Sequence, residues 1–279
     1  MLVHSLLADK GASPERYVLF LHGILGTRAN WRGVARRLVE ARPEWGAILV
    51  DLREHGDSLG EPPPHTLRAC ANDVAELVDQ LGLPVGGALG HSFGGKVVLE
   101  WLRSRDGIDT AAWIIDSTPS TSDVARDGSA TAEVLRILDT LPSDWDSREA
   151  FVAAIVDAGQ AEPIAKWLAM NLKRTEDGGR RFGPDLGTIH ELLLDYAETD
   201  EWGVVESIPT SCSLDFVLGG RSSVVSPDDR ARLEAIASRD PRLRVHLIER
   251  AGHWVHVDAA ESLVALLVEG FASPPGDGS

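Results

Sequence analysis

Cysteine is nearly absent from this chain of 279 residues: the two present, Cys70 and Cys212, lie far apart and match no metal-ligand or redox spacing. That scarcity excludes a disulfide framework and points to buried thiols in a reducing compartment. Positive charge is also thin. With 27 basic against 43 acidic residues the formal net charge is −16, which repels nucleic-acid backbones and anionic membrane surfaces at long range. A small anionic substrate is not excluded, because a few local cations override a mean field that salt screens over about 10 Å. No apolar run approaches the ~20 residues of a membrane span, and Met1 to Lys10 has neither the basic region nor the apolar run of a signal peptide. The expectation is a cytoplasmic protein with no nucleic-acid or membrane partner. Internal repeats are lacking too, and the tail SPPGDGS is expected to be disordered.

What is present is an ordinary hydrophobic content of 43%, enough for a sizeable core. Tyr17 to Leu21 and Ala47 to Asp51 are short apolar runs that read as buried strands, with a helix at Trp31 to Arg42 between them. The pattern repeats with a helix over Leu67 to Leu81, a Gly-rich strand over Val85 to Leu89, a helix from Phe93 to about Arg103, and the strand Ala111 to Ile115. Such alternation argues for a parallel sheet covered on both faces, with sites at the carboxyl ends of its strands. From about Pro119 to Pro209 the alternation stops and the sequence reads as helices only: Thr131 to Leu141, Asp146 to Ala158 with a cap at Asp146 and Glu149, Pro163 to Leu172, and Leu186 to Thr199. Strands resume at Leu214 to Leu218 and Val245 to Ile248, with helices at Pro227 to Ser238 and Ala259 to Phe271. The helical block looks inserted.

Gly90-His91-Ser92-Phe93-Gly94 fits G-x-S-x-G, in which a sharp turn between strand and helix exposes a serine hydroxyl and glycines relieve crowding around it. The string overlaps Gly90-x-x-x-x-Gly95-Lys96, a phosphate-loop pattern, except that position 97 is Val where Ser or Thr should ligate magnesium. Valine offers no oxygen, so nucleotide binding is the weaker alternative. A serine nucleophile needs a base, and among nine histidines His253, just after the last strand, stands where the chain order Ser, acid, His places it. His253 and His256 also form H-x-x-H, but no third zinc ligand is apparent. The oxyanion formed by attack needs backbone donors, for which Phe93 N–H and Ile24 N–H in the loop after the first strand are the candidates, with His22 bracing that loop.

The segments HGILGTRANW, DLREHGDS, GHSFGGKV, IDSTP, FVLGGRSSVVS and RAGHWVH resemble small bacterial esterases related to α/β-hydrolase domain-containing protein 11 over about Tyr17 to Phe271. The resemblance implies an α/β-hydrolase fold with a mostly parallel sheet, hydrolysis of carboxylic esters and acyl-CoA thioesters, no metal or organic cofactor, and a helical lid. It also places an Asp at position 116 as third member of a triad with Ser92 and His253. The strand after the lid runs instead into Gly219-Gly220-Arg221-Ser222-Ser223, which has no carboxylate, and Asp228 or Asp229 a few residues on is the alternative, although helix capping accounts for both. Other acyl or C–C substrates on the same triad, and a non-catalytic receptor on this fold, stay open. Epoxide and haloalkane hydrolysis use an aspartate nucleophile, and position 92 is serine.

The expected organisation is therefore a core of residues 1–119 and 210–279 with a cap at 120–209. Trp254, Phe93 and Ile24 are expected to line an apolar pocket with the cap, and Arg126, near the cap's start, is a candidate for an anionic head group. The substrate is expected to be a small ester or thioester.

Overall fold

Val18 to Leu21 are four consecutive side chains without exposure, and Trp45 to Val50 are buried at every position, as strands covered on both faces require. Along the first run the faces alternate: Val18 and Phe20 join one hydrophobic cluster, Leu19 and Leu21 the other. The computed structural model describes residues 1–104, 109–122 and 130–272; the expected tail disorder lies outside them.

In chain order the strands are β1 (His4–Leu7), β2 (Arg16–Leu21), β3 (Trp45–Val50), β4 (Val85–His91), β5 (Thr110–Ile115), β6 (Asp144–Trp145), β7 (Leu172–Arg174), β8 (Arg180–Phe182), β9 (Cys212–Gly219) and β10 (Leu243–Ile248). The helices are α1 (Arg32–Ala41), α2 (Leu67–Leu81), α3 (Phe93–Arg103), α4 (Ala130–Leu138), α5 (Arg148–Asp157), α6 (Glu162–Leu168), α7 (Leu186–Glu198), α8 (Trp202–Glu206), α9 (Pro227–Ala237), α10 (Val255–Asp258) and α11 (Ala260–Gly270). Seven strands form the main sheet in the order β1-β3-β2-β4-β5-β9-β10, with β1 antiparallel and the rest parallel. This is the α/β-hydrolase architecture.

Two features of this topology position the site. The chain winds from β2 outward to β3 and then returns to β4 on the other side, so the crevice beyond the carboxyl ends of β2 and β4 is the switch point where ligands bind in such sheets. The strands β5 and β9 are neighbours, with Ile115 opposite Val217, although nearly a hundred residues separate them. The intervening segment leaves the sheet at the carboxyl end of β5, beside that crevice, and re-enters at the amino end of the parallel strand β9.

That segment is not helical throughout. Asp144–Trp145, Arg180–Phe182 and Leu172–Arg174 make a three-stranded antiparallel sheet in the order β6-β8-β7, where the sequence was read as helices only. The strands are two or three residues long, too short for a period of two to register. Ser147, not Asp146, caps α5, its hydroxyl accepting from Ala150 N–H. The expected last helix, Ala259 to Phe271, is α11, and the short helix α10 precedes it, set off by Ala259 with φ −144°. Edge strand β1 and helix α8 have no counterpart in the sequence reading.

Candidate active site

Ser92 stands between β4 and α3 with φ 52° and ψ −117°, a strained conformation that packing on all sides must enforce. The flanking glycines make it accessible: a Cβ on Gly90 would collide with the Gly94–Gly95 backbone, and one on Gly94 would lie 2.7 Å from the Leu21 carbonyl oxygen. Phe93 is the first residue of α3, so its N–H has no helical acceptor. The Ile24 N–H donates to no backbone carbonyl among the described residues. Its loop is held by Gly26 N–H on the Gly23 carbonyl at 2.9 Å and by Asn171, from the inserted segment, whose Nδ2 donates to the Leu25 carbonyl at 2.8 Å.

His253 lies in the loop between β10 and α10, and its Nδ1 is 2.8 Å from Asp116 Oδ2. Asp116 directly follows β5, has φ 45° and is 1% exposed. Its carboxylate also accepts the Gly219 N–H at 2.9 Å and the Ser222 hydroxyl. The Gly-Gly-Arg-Ser-Ser turn thus supplies donors to a carboxylate that comes from the neighbouring strand. Asp229 is engaged elsewhere, accepting from Thr118 Oγ1 at 2.9 Å and Ser120 Oγ at 2.6 Å. The cap of α9 is Ser226, not either aspartate.

Other histidines surround the site, His22 buried and His256 half-buried. His22 Nδ1 lies 2.8 Å from the Gly23 carbonyl while Nε2 accepts the Leu52 N–H at 3.0 Å, an arrangement that fixes a neutral Nδ1–H tautomer. Burial pushes its pKa down to about 4. His256 is pushed down to about 4 by burial and by His253. It packs on Trp31, with ring centroids 4.9 Å apart. Among the described residues no group of three or more His, Cys, Asp or Glu is arranged to hold a metal ion.

Lys96 is buried, and its Nζ donates to the carbonyls of Ser120, Tyr196 and Thr199 at 2.7–2.8 Å. All three ammonium donors are spent on the protein, which removes the phosphate-loop reading of Gly90 to Lys96. No local pattern signals this use of Lys96, nor those of Asn171 and Asp229, because every partner is distant along the chain.

A cavity of about 270 Å³ opens over Ser92, His253 and Ile24, with Val134, Ile164, Trp167 and Trp254 among its walls. The rings of Trp167 and Trp254 approach to 5.7 Å, one from the inserted segment and one from the histidine loop. Phe93 departs from expectation. Its side chain, 1% exposed, packs against Tyr196 and His55 and does not line the cavity. Arg126 lies outside the described residues.

The profile of the alpha/beta hydrolase family matches residues 18–266. The chain belongs to this family. Within it, the chain is 27% identical over 273 residues to the mouse (Mus musculus) protein named sn-1-specific diacylglycerol lipase ABHD11, covering 94% of this chain and 82% of that one. It is 28% identical over 249 residues to Esterase YbfF of Escherichia coli K12, covering 88% and 89%. This hydrolase also superposes on a solved marine microorganism esterase with a TM-score of 0.79 at 20% identity, covering 96% of this chain and 98% of the other. No helix among its described residues is long and apolar enough to cross a membrane.

Proposed function

We propose that the chain hydrolyses carboxylic esters by two-step acyl transfer, with Ser92 as nucleophile, His253 as general base and Asp116 as the residue that orients it. The observation that carries this reading is the 2.8 Å contact of His253 Nδ1 with the buried Asp116 carboxylate, with His253 and Ser92 lining one cavity. Asp116 accepts from Nδ1–H, leaving Nε2 unprotonated and able to take the Ser92 proton as Oγ bonds to the substrate carbonyl carbon. The C–O bond of the leaving group then breaks as the imidazolium returns that proton to the departing alcohol. Water, deprotonated by His253, attacks the acyl-enzyme, and Ser92 leaves with the proton restored. The N–H groups of Ile24 and Phe93 receive the oxyanion in both steps.

Residues 120–209 act as a lid in this reading, with Trp167 packed against Trp254 at the wall of the apolar cavity, while residues 1–119 and 210–279 carry the machinery. The relatives named a lipase and an esterase support oxygen esters as the substrate class. Acyl-CoA thioesters undergo the same attack and form the finer alternative. The substrate is a small molecule, and no cofactor enters any step.

The test is Ser92→Ala in purified protein with p-nitrophenyl esters of increasing chain length beside acyl-CoAs. Ester turnover is expected to disappear while the fold persists, and a fluorophosphonate is expected to label Ser92 alone in the unsubstituted protein. Turnover near the original rate in the variant, or an adduct on another serine, refutes the assignment.

A further inference from the structure

His91, immediately before Ser92, is the last residue of β4 and is 5% exposed. Its Nε2 lies 2.8 Å from the main-chain carbonyl of His253. A carbonyl only accepts, so Nε2 carries the proton and donates. The same imidazole lies against the His253 ring, with centroids 4.6 Å apart and planes 38° apart. It also meets the His256 ring edge-on at 4.8 Å.

The loop that presents His253 is fixed on both sides of the histidine by other residues. Ala251 N–H donates to Ile248 and Arg221 N–H to the Ala251 carbonyl, while Gly252 N–H is held by Asp258. At residue 253 the side chain is held by Asp116 and the peptide by His91.

We propose that His91 is a positioning residue for the reaction: its Nε2–H anchors the His253 peptide and its ring backs the His253 imidazole, so adjacent residues of one strand end set the separation of nucleophile and base. The proposal rests on Ser92 and His253 being that pair. It explains why the residue before Ser92 is a histidine. Any buried side chain would fill the space, but the His253 carbonyl needs a donor at that reach, and a second cation beside the imidazolium formed during attack would oppose it. The titratable groups that face His91 are His253, His256 and His22, and burial together with these neighbours holds its pKa well below the ordinary histidine value.

The experiment compares His91→Phe, which keeps a ring without the donor, with His91→Gln, whose amide nitrogen reaches about as far as Nε2. A misplacement of about 1 Å costs up to ~10²-fold in rate. The expected result for His91→Phe is a loss of about 10- to 100-fold in kcat and in the rate of fluorophosphonate labelling of Ser92, with little change in KM. His91→Gln should recover to within about threefold. Unchanged kcat in His91→Phe, or equal losses in both variants, overturns the proposal, and if Ser92 is still the labelled serine the triad reading survives that failure. Should His91→Phe not fold, nitrogen-15 spectra of the unsubstituted protein decide: His91 is expected as the neutral Nε2–H tautomer, staying neutral below the ordinary histidine pKa. A titrating His91, or the Nδ1–H tautomer, overturns the assignment equally.

Discussion

Replacing Asp116 by Asn preserves side-chain volume and exchanges one carboxylate oxygen for an NH₂ group. In the native site Oδ1 accepts the Gly219 N–H at 2.9 Å, while Oδ2 accepts the Ser222 hydroxyl and the His253 Nδ1–H at 2.8 Å. If the amide oxygen keeps Gly219, its NH₂ faces two donors. The imidazole relieves this by moving its proton to Nε2, the atom that must be free to deprotonate Ser92. The lost charge adds to the tautomer penalty: unit charges about 4 Å apart attract by about 4 kcal/mol at an effective dielectric near 20, equivalent to roughly 10³ in rate. Together they predict a fall in kcat of about 10³- to 10⁴-fold, comparable in size to the corresponding substitution in a Ser-His-Asp protease. The assay is steady-state hydrolysis of a p-nitrophenyl ester at pH 7.5, with thermal unfolding to confirm the fold. Asp229→Asn and Asp228→Asn are the controls. The former disturbs the Thr118 and Ser120 hydroxyls, away from the His253 imidazole, and the latter an exposed side chain, so both should stay within about tenfold. Asp116→Asn within tenfold of the unsubstituted enzyme, or either control falling further, removes Asp116 from the triad.

Two predictions concern stability. His256, pushed down to about 4 in the fold against 6.5 ordinarily, prefers its neutral form when folded, so its contribution is complete above about pH 6.5 and is lost as pH falls toward 4. Removing that ionisation in His256→Phe, a swap that leaves a ring against Trp31, should shrink the drop in urea-unfolding free energy between pH 7.5 and pH 5.5 by about 1 kcal/mol. Identical pH dependence in both proteins would show that His256 is not titrating as its burial requires. Lys96→Met leaves the Ser120, Tyr196 and Thr199 carbonyls without their buried donor, and is expected to lower stability by about 2 kcal/mol. An unchanged urea midpoint would mean that water or a rearranged hydroxyl replaces the ammonium.

The sequence by itself determined the layered fold, because a strand buried on both faces must be a continuous apolar run and its crossover helix an amphipathic one. These are local patterns visible in Tyr17 to Leu21 or Leu67 to Leu81. It also placed Ser92 and His253 at strand ends, since the glycine spacing of the elbow is set by contacts within five residues. It failed where the cause lies across the chain. The short strands of the inserted segment form by pairing across the segment, Asp144 opposite Arg181 and Leu172 opposite Phe182, and no local period announces that. The uses of Asp229 and Lys96 were closed to it, and Asp116 was reached only through its place at a strand end and a family resemblance, because a carboxylate or ammonium shows its use only through its partners. Those are 137 residues away for Asp116 and His253 and 100 for Lys96 and Tyr196. Tertiary structure brings these groups together by placing β5 beside β9, so that Asp116, the Gly219 turn and the His253 loop converge where the hydrogen bonds of a buried charge are completed.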